Sequence, residues 1–195
     1  MTDIRENIDP KYKWDLTKIY KTEDNIISEL QSYEEGSWIN MVAPSLEECV
    51  DISEQFNIDI DDIRAALDDE ESSRINLEDE YTLVLVDIPS AEMRNNRHSY
   101  TTIPLGIVLL ENTIITVCAE ETAVLKMFVE QRVREFSTKK QMRFTYQILY
   151  NTCIVYQSLL RNIDRKRTEI EERINELDYV SECCACQGYD EKDKP

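Results

Sequence analysis

The stretch KKQMRFTYQILYNTCIVYQSLLRNIDRKRTEIEERINELD, Lys139 to Asp178, decides how this chain is read. It has no glycine and no proline, so nothing in it stops a helix. Apolar or aromatic residues recur at Tyr146, Leu149, Cys153, Tyr156, Leu160, Ile163, Ile170, Ile174 and Leu177. The steps alternate three and four, and only Arg167 breaks them. That is a heptad seam, the pattern of a helix packed lengthwise on another helix. At ~1.5 Å per residue the stretch spans roughly 60 Å, so it leaves its own globule or lies along a neighbour. The uncharged run Phe144 to Leu160 contains Thr145, Gln147, Asn151, Thr152, Gln157 and Ser158. It falls short of the ~20 apolar residues of a membrane span and is expected to be buried in protein. The half from Arg161 to Asp178 is expected to be solvated outside its seam. There Arg165/Glu169, Arg167/Glu171 and Glu169/Arg173 stand four apart.

Upstream, strand and helix patterns alternate. Residues 1–14 are polar and read as a loose lead-in. Trp14–Tyr20 and Asn25–Leu30 read as strands around Thr22-Glu23-Asp24. Trp38–Val42 is a strand between Gly36 and Pro44. Ser45 and Glu48 form a capping box that starts a helix with Leu46, Cys49, Val50 and Phe56 on its apolar face. Ile60–Leu67, capped by Asp59, is a second short helix. Strands follow at Arg74–Leu77 and Tyr81–Ile88, then a polar loop over 89–99. Tyr100–Leu110 and Thr113–Cys118 form a hairpin, with Pro104 and Gly106 marking a bulge or an edge. Ala119–Phe136 reads as an amphipathic helix with Val124, Phe128 and Val133 inward. The fold class is α/β: an α/β/α sandwich with a mixed sheet of about six strands and a long C-terminal helical arm. The expected parts are an α/β domain over 15–136, the long helix over 137–178, and a disordered tail over 179–195.

Composition limits the function. The chain is 42% hydrophobic and 32% charged, and three glycines and five prolines argue against a loop-rich or all-β fold. Forty acids against 22 bases leave a charge of −18, which disfavours nucleic acid or anionic lipid and favours cations or a basic protein surface as partners. The N-terminus lacks the apolar run of a secretory signal, so a reducing, cytosolic setting is expected for the cysteines.

Enzyme signatures do not occur. There is no phosphate-binding glycine loop, no helical histidine pair and no serine on a glycine elbow. His98 reads as a solvated loop residue. Cys183, Cys184 and Cys186 are crowded in the tail without a fourth zinc ligand. The acids carry more. Asp59, Asp61, Asp62, Asp68, Asp69, Glu70 and Glu71 cluster around one short helix. Asp87 closes the strand beginning at Tyr81, and Glu92 follows. Hard cations such as Mg²⁺ take carboxylate oxygens, keep several waters and tolerate weak sites of this kind.

Four ordered motifs carry a resemblance. They are Trp38-Ile39-Asn40-Met41 running to Pro44-Ser45 and Glu48, and Ala65-Ala66-Leu67-Asp68-Asp69-Glu70-Glu71-Ser72-Ser73-Arg74-Ile75. The hairpin from Ile103 to Val117 and the long helix complete the set. Over roughly Ile19 to Asp178 the chain resembles the N-terminal cytoplasmic domain of CorA-type divalent-cation transporters. The resemblance implies an α/β/α domain that assembles as a homo-oligomer, a pentamer in the intact protein, on the cytoplasmic face of the membrane. It implies that the chain stops short of the stalk helix, the two membrane helices and their Gly-Met-Asn motif. Such a fragment is soluble, does not itself conduct, and is a monomer or weak oligomer. It further implies Mg²⁺ sensing through carboxylates, with Glu92 the nearest counterpart of the family's sensing acid and Asp87 the less favoured. Asp68 and Asp69 are the other candidates. Co²⁺, Ni²⁺ or Zn²⁺ could replace Mg²⁺ as the ion. The alternative is a soluble interaction module that binds a partner helix through the heptad seam.

Overall fold

The computed structural model describes the backbone of residues 17–24, 26–94 and 97–187, and the side chains of these except 92–94, 97–98 and 176–187. The lead-in expected over 1–14 lies outside the described residues. The chain divides into two compact units, Met1–Val155 and Tyr156–Pro195.

The first unit is built on β1 (Thr17–Glu23), β2 (Ile26–Leu30), β3 (Trp38–Val42), α1 (Leu46–Phe56), α2 (Ile60–Ala65), β4 (Arg74–Leu77), β5 (Thr82–Arg94), β6 (Arg97–Leu109), β7 (Ile114–Cys118) and α3 (Ala123–Val129). It ends in the first turns of α4 (Gln141–Gln187). The strands form one seven-stranded sheet in the order β2-β1-β3-β7-β6-β5-β4. Only β3 and β7 pair in parallel, and the other neighbours are antiparallel. The sheet is therefore mixed, with seven strands where about six were expected.

The alternation of β3 shows why the domain has three layers. Trp38 and Asn40 face one side, Ile39 and Met41 the other, and all four are buried. A strand apolar on both faces must be covered on both. Ile39 and Met41 pack with Cys49 and Ile52 of α1, Ile63 of α2, and Leu83, Leu85, Ile115 and Val117 of the sheet. On the opposite face Trp38 packs with Val124, Leu125 and Phe128 of α3, Phe136, and Phe144 and Ile148 of α4. This is the α/β/α sandwich that the strand and helix patterns imply.

Helix α1 starts as its sequence dictates. Glu48 N–H donates to Ser45 Oγ at 3.2 Å, and Ser45 N–H donates to Glu48 Oε2 at 2.6 Å. These bonds satisfy two of the donors that a helix start leaves open. Asn57, in the left-handed region at φ 52°, ends the helix. Its buried face is Cys49 and Ile52, whereas Leu46 is 63% exposed. Leu46 is the first helical residue.

Four expectations change. First, the described residues of the polar loop expected over 89–99, which are 89–94 and 97–99, are strand. Strands β5 and β6 run as one ladder from Thr82↔Leu109 to Arg94↔Arg97 without a register break. Glu92 and His98 thus lie on paired strand backbone, opposite Ser99 and Met93. Apolar alternation reports burial, and this end of the ladder lies past the span of β4 and β7, so the sequence does not show it. Second, Gly106 is neither at a bulge nor at an edge, because it is paired on both sides, with Leu85 of β5 and Val117 of β7. Pro104 falls one residue beyond the end of the β7 ladder at Leu105↔Cys118. Third, the helix expected over Ala119–Phe136 is only Ala123–Val129. Thr122 caps its start, and Gln131 and Glu135 take positive φ soon after its end. The irregular segment that follows is tied down at Thr138, which is fully buried. Thr138 N–H donates to Thr22 Oγ1 at 2.8 Å, and Thr22 N–H donates to Thr138 Oγ1 at 3.2 Å. Fourth, α4 continues to Gln187, so Cys183, Cys184 and Cys186 lie on helical backbone rather than in a disordered tail.

Within the first unit the buried face of α4 is Phe144, Thr145, Ile148, Asn151 and Thr152. The expected seam lies about a third of a turn away at ~100° per residue. Of its residues there, Tyr146 and Cys153 are exposed. In the second unit Leu160, Ile163, Ile170 and Ile174 are exposed as well. Of the three charge pairs four apart, Arg167 Nε–Glu171 Oε1 closes to 3.6 Å; among the described residues the other two do not.

Candidate divalent-cation site

The acids around α2 have mostly structural work. Asp59 caps the helix, its Oδ1 accepting from Asp61 N–H at 2.9 Å. The Tyr81 hydroxyl donates to Asp62 Oδ2 at 2.7 Å and accepts from Asp59 N–H at 3.3 Å, tying the helix start to the strand beside it. Burial, then the Asp62 hydrogen bond, pushes the Tyr81 phenol from the ordinary 10 up to about 12. Tyr20 is also pushed up to about 12, by burial first and then by Glu29 and Glu121. A raised folded pKa gives stability that is present in full below the unfolded pKa and lost as pH rises through the folded one. Stability should therefore fall between pH 10 and about 12, and Tyr81→Phe should flatten its part of that fall. Absorbance titration of tyrosinate alongside melts checks this. If all ten tyrosines ionised together near pH 10, the expectation would fail.

Asp68 and Asp69 lie in the turn after α2, both exposed. Asp68 Oδ1 accepts from Glu70 N–H at 3.0 Å, the Asx turn that this residue type favours. Glu71 is paired with Arg74. Asp87 sits on β5 opposite Pro104. Strand β4 reaches along β5 only as far as Arg74↔Leu85, so the backbone of Asp87 has lost its neighbour on that side. Ser73 substitutes for it: its Oγ accepts from Asp87 N–H and donates to Asp87 Oδ2, each at 3.1 Å. Asp87 is exposed at this open edge. Glu92 lies on the same strand five positions on. An odd spacing puts the two positions on opposite faces of an extended ladder. The Glu92 side chain is outside the described ones.

Asp87 and Glu92 thus stand at positions on opposite faces of β5, and Asp68 and Asp69 stand in the turn after α2. Among the described residues no group of three or more His, Cys, Asp or Glu side chains is placed to hold a metal ion. Ser73, the residue that fixes Asp87, was not legible from the sequence. Its signal is only a serine pair just before a short strand.

These features first define a class: a three-layer α/β/α domain with an acidic surface and a long C-terminal helix. The sequence profile described as "CorA-like Mg2+ transporter protein" matches residues 33–182. The chain belongs to that family, which is one of transporters rather than enzymes. A curated relative, the cobalt/magnesium transport protein CorA of Methanocaldococcus jannaschii, is 23% identical over 141 residues. These cover 70% of this chain and 43% of the relative. The chain therefore spans less than half the length of that relative. Its fold is that of the soluble domain of the same organism's CorA, with a TM-score of 0.66 at 21% identity, covering 80% of this chain and 64% of the other. The ZntB cytoplasmic domain from Vibrio parahaemolyticus is also similar, with a TM-score of 0.58 at 10% identity over 77% of this chain and 63% of that one. Among the described residues no helix is long and apolar enough to cross a membrane.

Proposed function

We propose that this chain is the Mg²⁺-sensing regulatory domain of a CorA-like divalent-cation transporter, acts on the cytoplasmic face of the membrane, and does not itself conduct. The observation that carries the reading is the family match over residues 33–182. The charge of −18 supplies the physics. A divalent ion between acidic neighbouring copies screens their repulsion, and its loss restores that repulsion. Mg²⁺ keeps several waters and takes one or two carboxylates from a protein. Asp87, exposed and held by Ser73, fits as one contributor from this chain, and Glu92 is the other candidate. The remaining ligands would come from a second surface. The same melt series with Co²⁺, Ni²⁺ or Zn²⁺ tests these ions in place of Mg²⁺.

Binding stabilises by RT ln(1 + [L]/Kd), about 0.4 kcal/mol at [L] equal to Kd and about 1.4 kcal/mol at ten times Kd. A melt series over rising Mg²⁺, against K⁺ at equal ionic strength, should show that growth for Mg²⁺ alone. Glu92→Ala or Asp87→Asn should blunt it if the ion sits there. Asp68→Asn with Asp69→Asn should blunt it instead if the effect is diffuse screening. Equal responses to the two salts would remove the sensor. In solution this chain should be a monomer or weak oligomer, because its acidic copies repel. Light scattering that shows a tight pentamer in low salt without divalent ions would contradict this.

A second reading is favoured by one observation. The heptad seam of α4 is exposed at Leu160, Ile163, Ile170 and Ile174 instead of packed. A partner helix laid along it would make the chain an interaction module with no ion role. This reading is left if the Mg²⁺ response proves non-specific.

A further inference from the structure

A cleft of about 440 Å³ lies in the first unit where β1 and β3 meet α3. That volume is within the usual ~300–1,000 Å³ of small-molecule sites. The cation reading does not involve it. Two of its lining residues, Tyr20 and Asn40, are 5% and 7% exposed.

A buried relay fixes how Asn40 is turned. The Trp38 indole has a donor and no acceptor, and its Nε1–H donates to Thr116 Oγ1 at 2.8 Å. The Thr116 hydroxyl then sends its own proton on to Asn40 Oδ1 at 2.9 Å. Trp38 and Thr116 are both fully buried, so this order of donors is set from inside the core. The carbonyl oxygen of the Asn40 amide is thereby used inward. Its Nδ2, with two protons, has no hydrogen-bond partner among the described residues, and neither has the Tyr20 hydroxyl. The Tyr20 ring is stacked on Trp38 with centroids 5.0 Å apart. Both donors belong to residues more than nine-tenths buried that line the cleft. Neither atom is among the fully buried, partnerless side-chain atoms, so both donors open onto the cleft, where water or a ligand can accept from them.

The rest of the lining says what would satisfy them. Val42, Leu125 and Val129 make an apolar wall. Lys18 and Lys126 stand on the rim, with Glu121 and Glu130. Lys18 lies 3.6 Å from Glu29, and Glu130 is held by Arg132 at 2.9 Å. A ligand with acceptor oxygens answers the two inner donors, and a negative charge answers the lysines. The two rim glutamates disfavour a dianion such as a phosphate monoester. We infer that the cleft binds a small amphipathic monocarboxylate, its oxygens on Asn40 Nδ2 and the Tyr20 hydroxyl and its apolar body against Val42, Leu125 and Val129.

Phenylbutyrate tests this, with phenylbutylamine as the control of the same body and opposite charge. Isothermal titration and ligand-observed NMR on the whole chain should show saturable binding of phenylbutyrate and none of the amine. Lys126 is exposed, so Lys126→Glu leaves the fold intact; it should weaken binding by about tenfold or more. Asn40→Asp keeps the bond from Thr116 but replaces the free donor by an acceptor, and should weaken binding at least as much. If Asn40→Asp proves unstable, Val129→Trp, which fills the cleft from its partly buried wall, serves as the second variant and should abolish binding. Absence of saturable phenylbutyrate binding, equal binding of acid and amine, or unchanged affinity in Lys126→Glu would each overturn the inference.

Discussion

Trp38→Ala should destabilise the α/β unit by about 3–5 kcal/mol, which lowers the melting temperature of a chain this size by roughly 10 °C or more. Trp38 has no exposure, and its ring lies at the centre of an aromatic cluster. Its centroid is 5.0 Å from that of Tyr20, 5.1 Å from Phe144, 6.2 Å from Phe136 and 6.4 Å from Phe128. These partners come from β1, α3, α4 and the segment between the two helices, so the residue joins elements far apart in the chain. Truncation loses transfer energy, leaves a cavity, and strips the Thr116 hydroxyl of its donor. Trp38→Phe should cost much less, because it keeps most ring contacts and loses only the indole donor. Chemical denaturation of both variants checks this. A Trp38→Ala variant within about 1 kcal/mol of the parent would mean that this cluster is not the core.

Gly106→Val should destabilise the fold as severely, and Gly106→Ala by about 1–3 kcal/mol. Gly106 is at the middle of the sheet, paired with Leu85 on one side and Val117 on the other. A Cβ built there would stand 2.8 Å from the Cβ of Ala66, which caps the end of α2. Neighbouring strands on both sides hold β6, so the helix end must give way. Alanine's better strand propensity, worth under about 1 kcal/mol, does not offset the overlap. Ala66→Gly opens the same space from the opposite side. The double variant Ala66→Gly with Gly106→Ala should therefore recover part of the loss, a coupling of about 1 kcal/mol in a double-mutant cycle. Strict additivity would show that the two residues do not meet.

Two positions in β6 show how far a local signal carries. Within a strand pattern, Pro104 and Gly106 suggest an edge or a bulge, since proline lacks a ladder donor and glycine lacks a side chain. Here Gly106 marks the close approach of a helix, and Pro104 falls where one neighbouring strand has ended. The long β5–β6 ladder was hidden for a related reason. Its outer half lies past the ends of β4 and β7, and Pro89 to Ser99 does not carry the apolar alternation of a strand inside the sheet. Glu92, expected in a loop, is on that ladder instead.

The sequence by itself determined the local starts and stops and the class. The Ser45/Glu48 capping box, the strand Trp38–Val42 between Gly36 and Pro44, and the uninterrupted helical run from Gln141 are each set by neighbours within a few residues. The order of those elements carried the family. Only the tertiary structure decided which apolar residues meet. The heptad seam and the buried face of α4 are both written in the same helix, about a third of a turn apart, and periodicity ranks neither above the other. Burial chose Phe144 and Ile148 because Trp38, Phe128 and Phe136 already stand opposite them. The same holds for the acids. Composition supplied many carboxylates, but the early end of β4 left Asp87 at an open edge with Ser73 as its partner. Contacts between residues distant in sequence depend on the packing of whole elements, and no local pattern encodes them.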